Sequence, residues 1–203
     1  MLSARPLVDP VVLAIPRGGV VVGYEIARRL GAPLEVVVVR KVGSPQEAEY
    51  GLGAVAEGDL VRVDPDRARS VGASPTQLSA VVRTELAAVR QRTTLFRQGR
   101  LPLRLSGRSA VIVDDGIATG GTVEAAILVV RRREPREILV AVGVAPPEAI
   151  ERLRALGVDP LAVLVPPSFE AVGAWYARFE PVEDAEVLRL LEAAGASTAP
   201  HGP

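Results

Sequence analysis

Asp114 and Asp115 are adjacent carboxylates, and the loop behind them runs Gly116, Ile117, Ala118, Thr119, Gly120, Gly121, Thr122 before an apolar helical pattern opens at Val123. Glycine and threonine at a helix N-terminus leave backbone N–H groups unpaired, add hydroxyl donors and sit at the positive end of the helix dipole. Together these make an anion cradle, best suited to phosphate. Two carboxylates just upstream would repel a bare phosphate, so the ligand has to present hydroxyls or a metal ion on that side. A sugar phosphate meets both demands. A Walker loop would need a Lys after the last glycine, and a dinucleotide fingerprint has its acid after the glycines rather than before them. The reading without a ligand is a strand-to-helix loop whose two acids are solvated caps.

Two further stretches place cations where apolar runs end. Val11–Ile15 leads into Pro16, Arg17, Gly18 and Gly19, and then into a helical pattern from Val20 through Ala27 to Leu30, stopped by Gly31. An Arg set among glycines before a helix is a second candidate anion site, or simply a tight turn with a surface Arg. Leu34–Val39 reads as a buried strand with Arg40 and Lys41 at its carboxyl end. Lys41 is the only lysine among 24 Lys and Arg residues. A coding bias toward Arg explains the scarcity of lysine but not where the surviving one stands. The polar loop that follows, Gly43 to Gly51, carries Glu47, Glu49 and Tyr50.

The elements that must position these residues follow from periodicity. Val111, Ile112 and Val113 have no polar alternation, which suits a strand covered on both faces, as in a parallel sheet. Leu52–Glu57 and Leu60–Val63 flank the turn Gly58-Asp59 as a hairpin, and Asp64, Pro65 and Asp66 end it. Ser74, Pro75 and Gln77 form a capping box with Pro at the first helical position. From there Leu78, Val81, Val82, Leu86, Val89 and Phe96 keep helical spacing, with Arg83, Arg90, Arg92 and Arg97 on what reads as a solvated face. Ile138–Val144 and Leu161–Val165 are further core strands, separated by a helix over Pro147–Leu156 that stops at Gly157. Strands alternating with helices predict an α/β fold: a doubly wound, mainly parallel sheet with helices on both faces. Pro166–Pro181 breaks this rhythm and gathers Phe169, Trp175, Tyr176 and Phe179. A closing helix is expected over Glu183–Leu191. One domain over residues 1–193 and a disordered tail over 194–203 complete the expectation.

The chain has 203 residues, an apolar fraction of 48% and only 3% aromatic residues, which suits one β-branched sheet under Ala- and Leu-rich helices. Its net charge is zero, so it lacks the basic footprint of a nucleic-acid binder. No apolar run reaches membrane-spanning length and the N-terminus has no signal-peptide core, so a cytoplasmic protein is expected. There is no Cys, and the lone His201 stands in the tail. Thiolate chemistry is excluded, and histidine catalysis is left with little to build on.

VIVDDGIATGGT resembles the phosphoribosyl pyrophosphate motif of type I phosphoribosyltransferases throughout its apolar, acidic and small-residue pattern. The resemblance implies that family's fold, with a small hood near 166–181 beside the sheet. It implies that Asp114 and Asp115 hold the ribose hydroxyls, and a Mg²⁺ ion indirectly through them or through water. Ala118, Thr119, Gly120, Gly121 and Thr122 would wrap the 5-phosphate. Pro16–Gly19 resembles the pyrophosphate loop of the same family, with Arg17, Gly18 and Lys41 on the pyrophosphate and a non-proline cis peptide expected at Arg17–Gly18. Arg40-Lys41 followed by Glu49-Tyr50-Gly51 resembles the catalytic loop of adenine phosphoribosyltransferases, although the loop is markedly shorter here. On that likeness Arg17, Lys41 and Glu49 are the catalytic candidates.

Tyr50, Phe169, Trp175 and Tyr176 are candidates for stacking on a base, or for a small satellite core or a dimer contact. Ala118 stands where hypoxanthine and guanine enzymes carry an acid, which agrees better with the adenine and orotate types. The implied reaction moves the 5-phosphoribosyl group from phosphoribosyl pyrophosphate to a nitrogenous, purine-like base and releases pyrophosphate, as in nucleotide salvage. The implied partners are those two small molecules and a second copy in a homodimer, with neither nucleic acid nor membrane. The rival reading is a non-catalytic regulator that senses phosphoribosyl pyrophosphate or a nucleotide through the same cradle. Such regulators usually carry a DNA-binding module, for which this chain leaves no room.

Overall fold

The structure is a computed structural model that describes residues 2, 5–47 and 50–197, without the side chains of 196 and 197. Five strands form a parallel sheet: β1 (Val11–Ala14), β2 (Leu34–Val36), β6 (Ser109–Gly116), β7 (Glu137–Val144) and β8 (Asp159–Leu164), in the order β2-β1-β6-β7-β8. Helices α1 (Gly18–Leu30) and α6 (Asp184–Ser197) cover one face, and α4 (Gly121–Arg131) and α5 (Pro147–Ala155) the other. The doubly wound architecture is the expected one. It puts the loops after β1 and β6 side by side at the carboxyl edge, because these two strands pair directly, Ala14 opposite Val113. Ligands of open parallel sheets bind at such an edge.

The run Leu34–Val39 is not one strand. β2 ends at Val36, Val37 and Val38 carry the chain across, and β3 (Val39–Gly43) starts a separate antiparallel sheet with β4 (Gly51–Ala56) and β5 (Leu60–Val63), in the order β3-β4-β5. Val37 and Val38 are as buried as the strands on either side, so hydropathy carries no mark of the crossing. Lys41 therefore lies within an antiparallel strand rather than in a loop after a parallel one. Helix α3 (Pro75–Arg97) packs on this sheet, and α4 packs on β3 and β4 as well as on the parallel sheet, so that α4 is a wall shared by both.

The capping box forms as expected, with the Ser74 side chain accepting from the Gln77 N–H. The helix ends at Gln98, which takes a left-handed φ of 48° and whose N–H reaches the Thr94 carbonyl. Its last Arg is not solvated. Arg97 is buried, with Nη2 2.7 Å from Glu35 of β2 and 2.9 Å from Glu57 beyond β4. The Leu103 N–H adds a hydrogen bond of 2.7 Å to Glu35. Burial pushes the Glu57 carboxyl up and the Arg97 charge pulls it back. Glu35 and Glu57 come from different sheets, so this cation locks one sheet to the other. Helical spacing alone could not place Arg97 inside, because its partners are distant in the chain. Arg83 and Arg90 do face solvent, Arg90 paired with Asp59 at 2.9 Å.

A short helix α2 (Pro65–Ser70), which the strand-ending Asp64-Pro65-Asp66 hid, starts with Asp64 accepting from the Asp66 and Arg67 N–H groups. Helix α6 runs to Ser197, past Leu191, so residues 194–197 belong to it rather than to a disordered tail. Residues 198–203, with His201, lie outside the described residues. Among the described residues no helix is long and apolar enough to cross a membrane.

Candidate functional site

The carboxyl end of β6 delivers Asp114 and Asp115, half-buried, with the Asp115 N–H donating to Asp114 Oδ1 at 3.0 Å. Burial holds the Asp114 carboxyl well above its ordinary value, and the neighbouring Asp115 charge raises it further. Burial also raises Asp115, opposed by the Gly116 N–H. The acids thus stand partly desolvated and uncompensated, which favours a ligand that brings hydroxyl donors or a cation. Among the described residues there is no group of three or more His, Asp or Glu fit to hold a metal. A Mg²⁺ ion at this pair would take most of its ligands from substrate and water, and the donor set suits that hard, oxygen-seeking ion.

The loop after β1 lies against these acids. A Cβ at Gly19 would stand 2.7 Å from the Val113 carbonyl oxygen and 2.9 Å from Asp114 Cα, and one at Gly18 would run into the Asp115 carboxylate. Both positions need glycine for close approach rather than for φ. The non-proline cis peptide is at Pro16–Arg17, one bond before the expected Arg17–Gly18. Arg17 already has helical φ and ψ and Gly18 is the first residue of α1, so the unusual bond falls before the helix begins. Arg17 Nη1 lies 3.8 Å from Oδ1 of Asp184, at the start of α6.

The turn over 118–122 opens helix α4. Gly120 takes φ 85°, which a side chain would resist, and stands as N-cap of α4 with no side-chain cap hydrogen bond. Ala118 and Thr119 are exposed. Arg152 of α5 braces the turn, donating to the Thr119 carbonyl at 2.9 Å. A cavity of about 710 Å³ opens between this cradle and the antiparallel sheet, and Lys41 lines it with Thr119, Gly121 and Thr122. Arg17, Asp114 and Asp115 do not line it. The structure therefore brings Lys41 to the cradle side and leaves Arg17 with Gly18 at the acidic side. Arg62, Arg67 and Arg152 line the same cavity and were missed by sequence reasoning. For Arg62 a signal was present, because it follows Leu60 by two residues and so shares a face of the hairpin strand with it.

The hood holds no strand, only a 3-10 turn over Val172–Trp175. It docks on the ends of β6 and β7, where side chains are missing. A Cβ at Gly116 would lie 2.6 Å from Val172, and one at Gly143 would collide with the Tyr176 hydroxyl. That hydroxyl donates to the Asp115 carbonyl at 2.6 Å, and the Tyr176 ring tilts against Phe179 with centroids 5.2 Å apart. Tyr176 is accordingly an anchor with its polar end in use. Among the described residues no ring contact joins Tyr50, Phe169 or Trp175 to it. Tyr50 and Trp175 are exposed and Phe169 is half-buried. Glu49 lies outside the described residues.

The sequence matches the family described as "Phosphoribosyl transferase domain" over residues 6–159. A Mycobacterium tuberculosis protein named "Putative phosphoribosyl transferase" is 39% identical over 184 residues, which cover 91% of this chain and 42% of that protein. The chain thus spans less than half the length of the curated relative it matches. A uracil phosphoribosyltransferase of Kineococcus radiotolerans is 37% identical over 83 residues, 39% of each chain. The crystal structure of TT1426 from Thermus thermophilus superposes with a TM-score of 0.78 at 45% identity, covering 94% of this chain and 90% of that one. With an acidic pair and a glycine-capped helix N-terminus both inside the matched residues, the chain belongs to the phosphoribosyl transferase domain family.

Proposed function

We propose that this chain transfers the 5-phosphoribosyl group of phosphoribosyl pyrophosphate to a ring nitrogen of a nitrogenous base. The observation that carries this reading is the junction of the raised Asp114–Asp115 pair with the uncapped N-terminus of α4. The first wants hydroxyls and the second wants a phosphate, on opposite ends of one five-carbon sugar. In the reaction the anomeric C–O bond breaks with its electron pair leaving on pyrophosphate, a C–N bond forms, and the ring nitrogen loses its proton.

Each group then has a task. Thr119, Gly120, Gly121 and Thr122 hold the 5-phosphate, Asp114 and Asp115 the ribose hydroxyls, and Arg17 and Gly18 the pyrophosphate, while Lys41 supplies its charge from the cradle side. Fixing the sugar at both ends restricts it to the reactive orientation, and fixed cations stabilise the departing polyanion. Mg²⁺ bound with pyrophosphate would add positive charge to the leaving group. Ala118 offers no acid to receive the proton, so Glu49 is the proposed acceptor from the loop. The Glu-Tyr-Gly likeness favours a purine base, with Trp175 and Phe169 rather than Tyr176 available to stack on it.

Calorimetry with phosphoribosyl pyrophosphate and Mg²⁺, followed by a screen of purines and pyrimidines for pyrophosphate release, tests the proposal. Tight binding and turnover with one base are expected. Binding without turnover on any base would identify a sensor instead, and no binding would reduce the motif to a structural turn.

A further inference from the structure

Three cations in the cavity have no part in the reaction just described: Arg62, Arg67 and Arg152. Their placement follows from strand register. Lys41 of β3 is paired with Ala54 of β4, and Ala54 with Arg62 of β5. Residues directly opposite in antiparallel strands share a face. Lys41 and Arg62 therefore flank the small side chain of Ala54, two strand spacings or roughly 10 Å apart. Deeper on that face Val39, Ala56 and Leu60 enter the core cluster that also holds Ala125, Ala126 and Val129 of α4. The cationic end of the row is thereby carried to the N-terminal end of α4, where the cavity opens.

Arg152 closes the opposite wall through its hydrogen bond to the Thr119 carbonyl. The two lining acids are each paired with one of these cations: Asp64, the N-cap of α2, lies 3.5 Å from Arg67, and Glu124 lies 3.8 Å from Arg152. Four lining cations against two lining acids still leave the cavity net positive, and Arg62 belongs to neither pair. About 710 Å³ is the size of a pocket for a whole small molecule, larger than one phosphate monoester needs.

We infer that the hairpin side of this cavity is a second anion subsite, in which Arg62, with Arg67 and Arg152 at the rim and Lys41 at the border with the cradle, takes a phosphate group beyond the one held at 119–122. The inference rests on the sugar-phosphate reading of the cradle. The chemistry recognised is a phosphate chain: either a ribose 5-phosphate extended through a phosphoanhydride, or a second phosphorylated molecule bound beside the first.

The test is calorimetry with ribose 5-phosphate, with ADP-ribose, and with inorganic triphosphate added to protein saturated with ribose 5-phosphate. ADP-ribose is expected to bind about tenfold more tightly than ribose 5-phosphate, the size of one charge-assisted hydrogen bond. Arg62→Ala should remove the gain, Arg62→Lys should restore part of it, and neither should change ribose 5-phosphate affinity. An Arg62-dependent gain with triphosphate but not with ADP-ribose assigns the subsite to a second molecule. Ribose 5-phosphate binding with no Arg62-dependent gain from either probe overturns the subsite and leaves the cradle standing. Failure of ribose 5-phosphate to bind, or binding indifferent to Thr119→Val, overturns both.

Discussion

The acidic edge of the parallel sheet and the antiparallel hairpin that faces it are held in place by different physics. At the acidic edge the backbone does the positioning: Gly18 and Gly19 lie so close to Asp114 and Asp115 that a single methyl group has no room. In the hairpin the side chains proposed to bind, Lys41 and Arg62, are exposed, and a buried charge cluster behind them fixes the sheet. On the proposed function, stability and binding are therefore entangled at the first region and separable at the second.

The largest effect should come from the lock between the sheets. Arg97→Ala leaves Glu57 buried without its paired cation and Glu35 with Arg133 alone, 3.4 Å away, which costs about 3 kcal/mol, the lower end for a broken buried pair. Urea unfolding would measure it. A loss under 1 kcal/mol would mean the two sheets are joined by apolar packing alone.

The glycine pair sharpens the contrast within the acidic edge. Gly19→Ala meets backbone and should cost about 1–3 kcal/mol or more, whereas Gly18→Ala meets only the end of the Asp115 side chain and should cost less. Gly18→Ala should nonetheless weaken binding of phosphoribosyl pyrophosphate, because it displaces that carboxylate. Equal melting temperatures for the two variants would contradict the backbone argument.

Asp114→Asn tests the entanglement directly. The folded-state pKa of Asp114 is raised, so the folded protein holds this proton more firmly than the unfolded chain. Between the ordinary value of 3.8 and the raised one, stability falls as pH rises, and above the raised value the full cost of ionisation is present. The variant removes that cost. At neutral pH it should gain about 1 kcal/mol while losing ligand affinity, and the gain should vanish below the ordinary carboxylate range. Thermal melts across pH would check this, and a neutral-pH loss of stability would refute it.

The smallest structural effect belongs to Lys41→Arg. An exposed side chain should change stability by no more than about 0.5 kcal/mol. Turnover should still fall, because a planar guanidinium does not place its charge as an ammonium does. An unchanged rate would make the lysine incidental.

The same contrast decides what the sequence made legible. The glycine turn and the acids lie within one short loop, so residue types and spacing alone reported their local geometry, and alternating apolar runs reported the parallel sheet. The antiparallel sheet was half visible as a hairpin. The crossing at Val37 and Val38 was hidden because both residues are buried like strand residues. Arg97 read as a surface residue because its partners are distant in the chain. Arg62 gained meaning only through register, which joins it to Lys41 across Ala54. For Tyr176 the sequence leaves stacking and a satellite core side by side, because it could not show the hydrogen bond from its hydroxyl to the Asp115 carbonyl.

That hydroxyl occupies the space a side chain at position 143 would need, and it holds the carbonyl of Asp115. The Asp115 carbonyl oxygen itself stands 2.7 Å from that same point, so glycine at 143 is demanded twice, by the hood and by the backbone of β6. Shortening Tyr176 alone would not admit a side chain there, and a Cβ at 143 would press on the carbonyl and on the phenol that binds it at once.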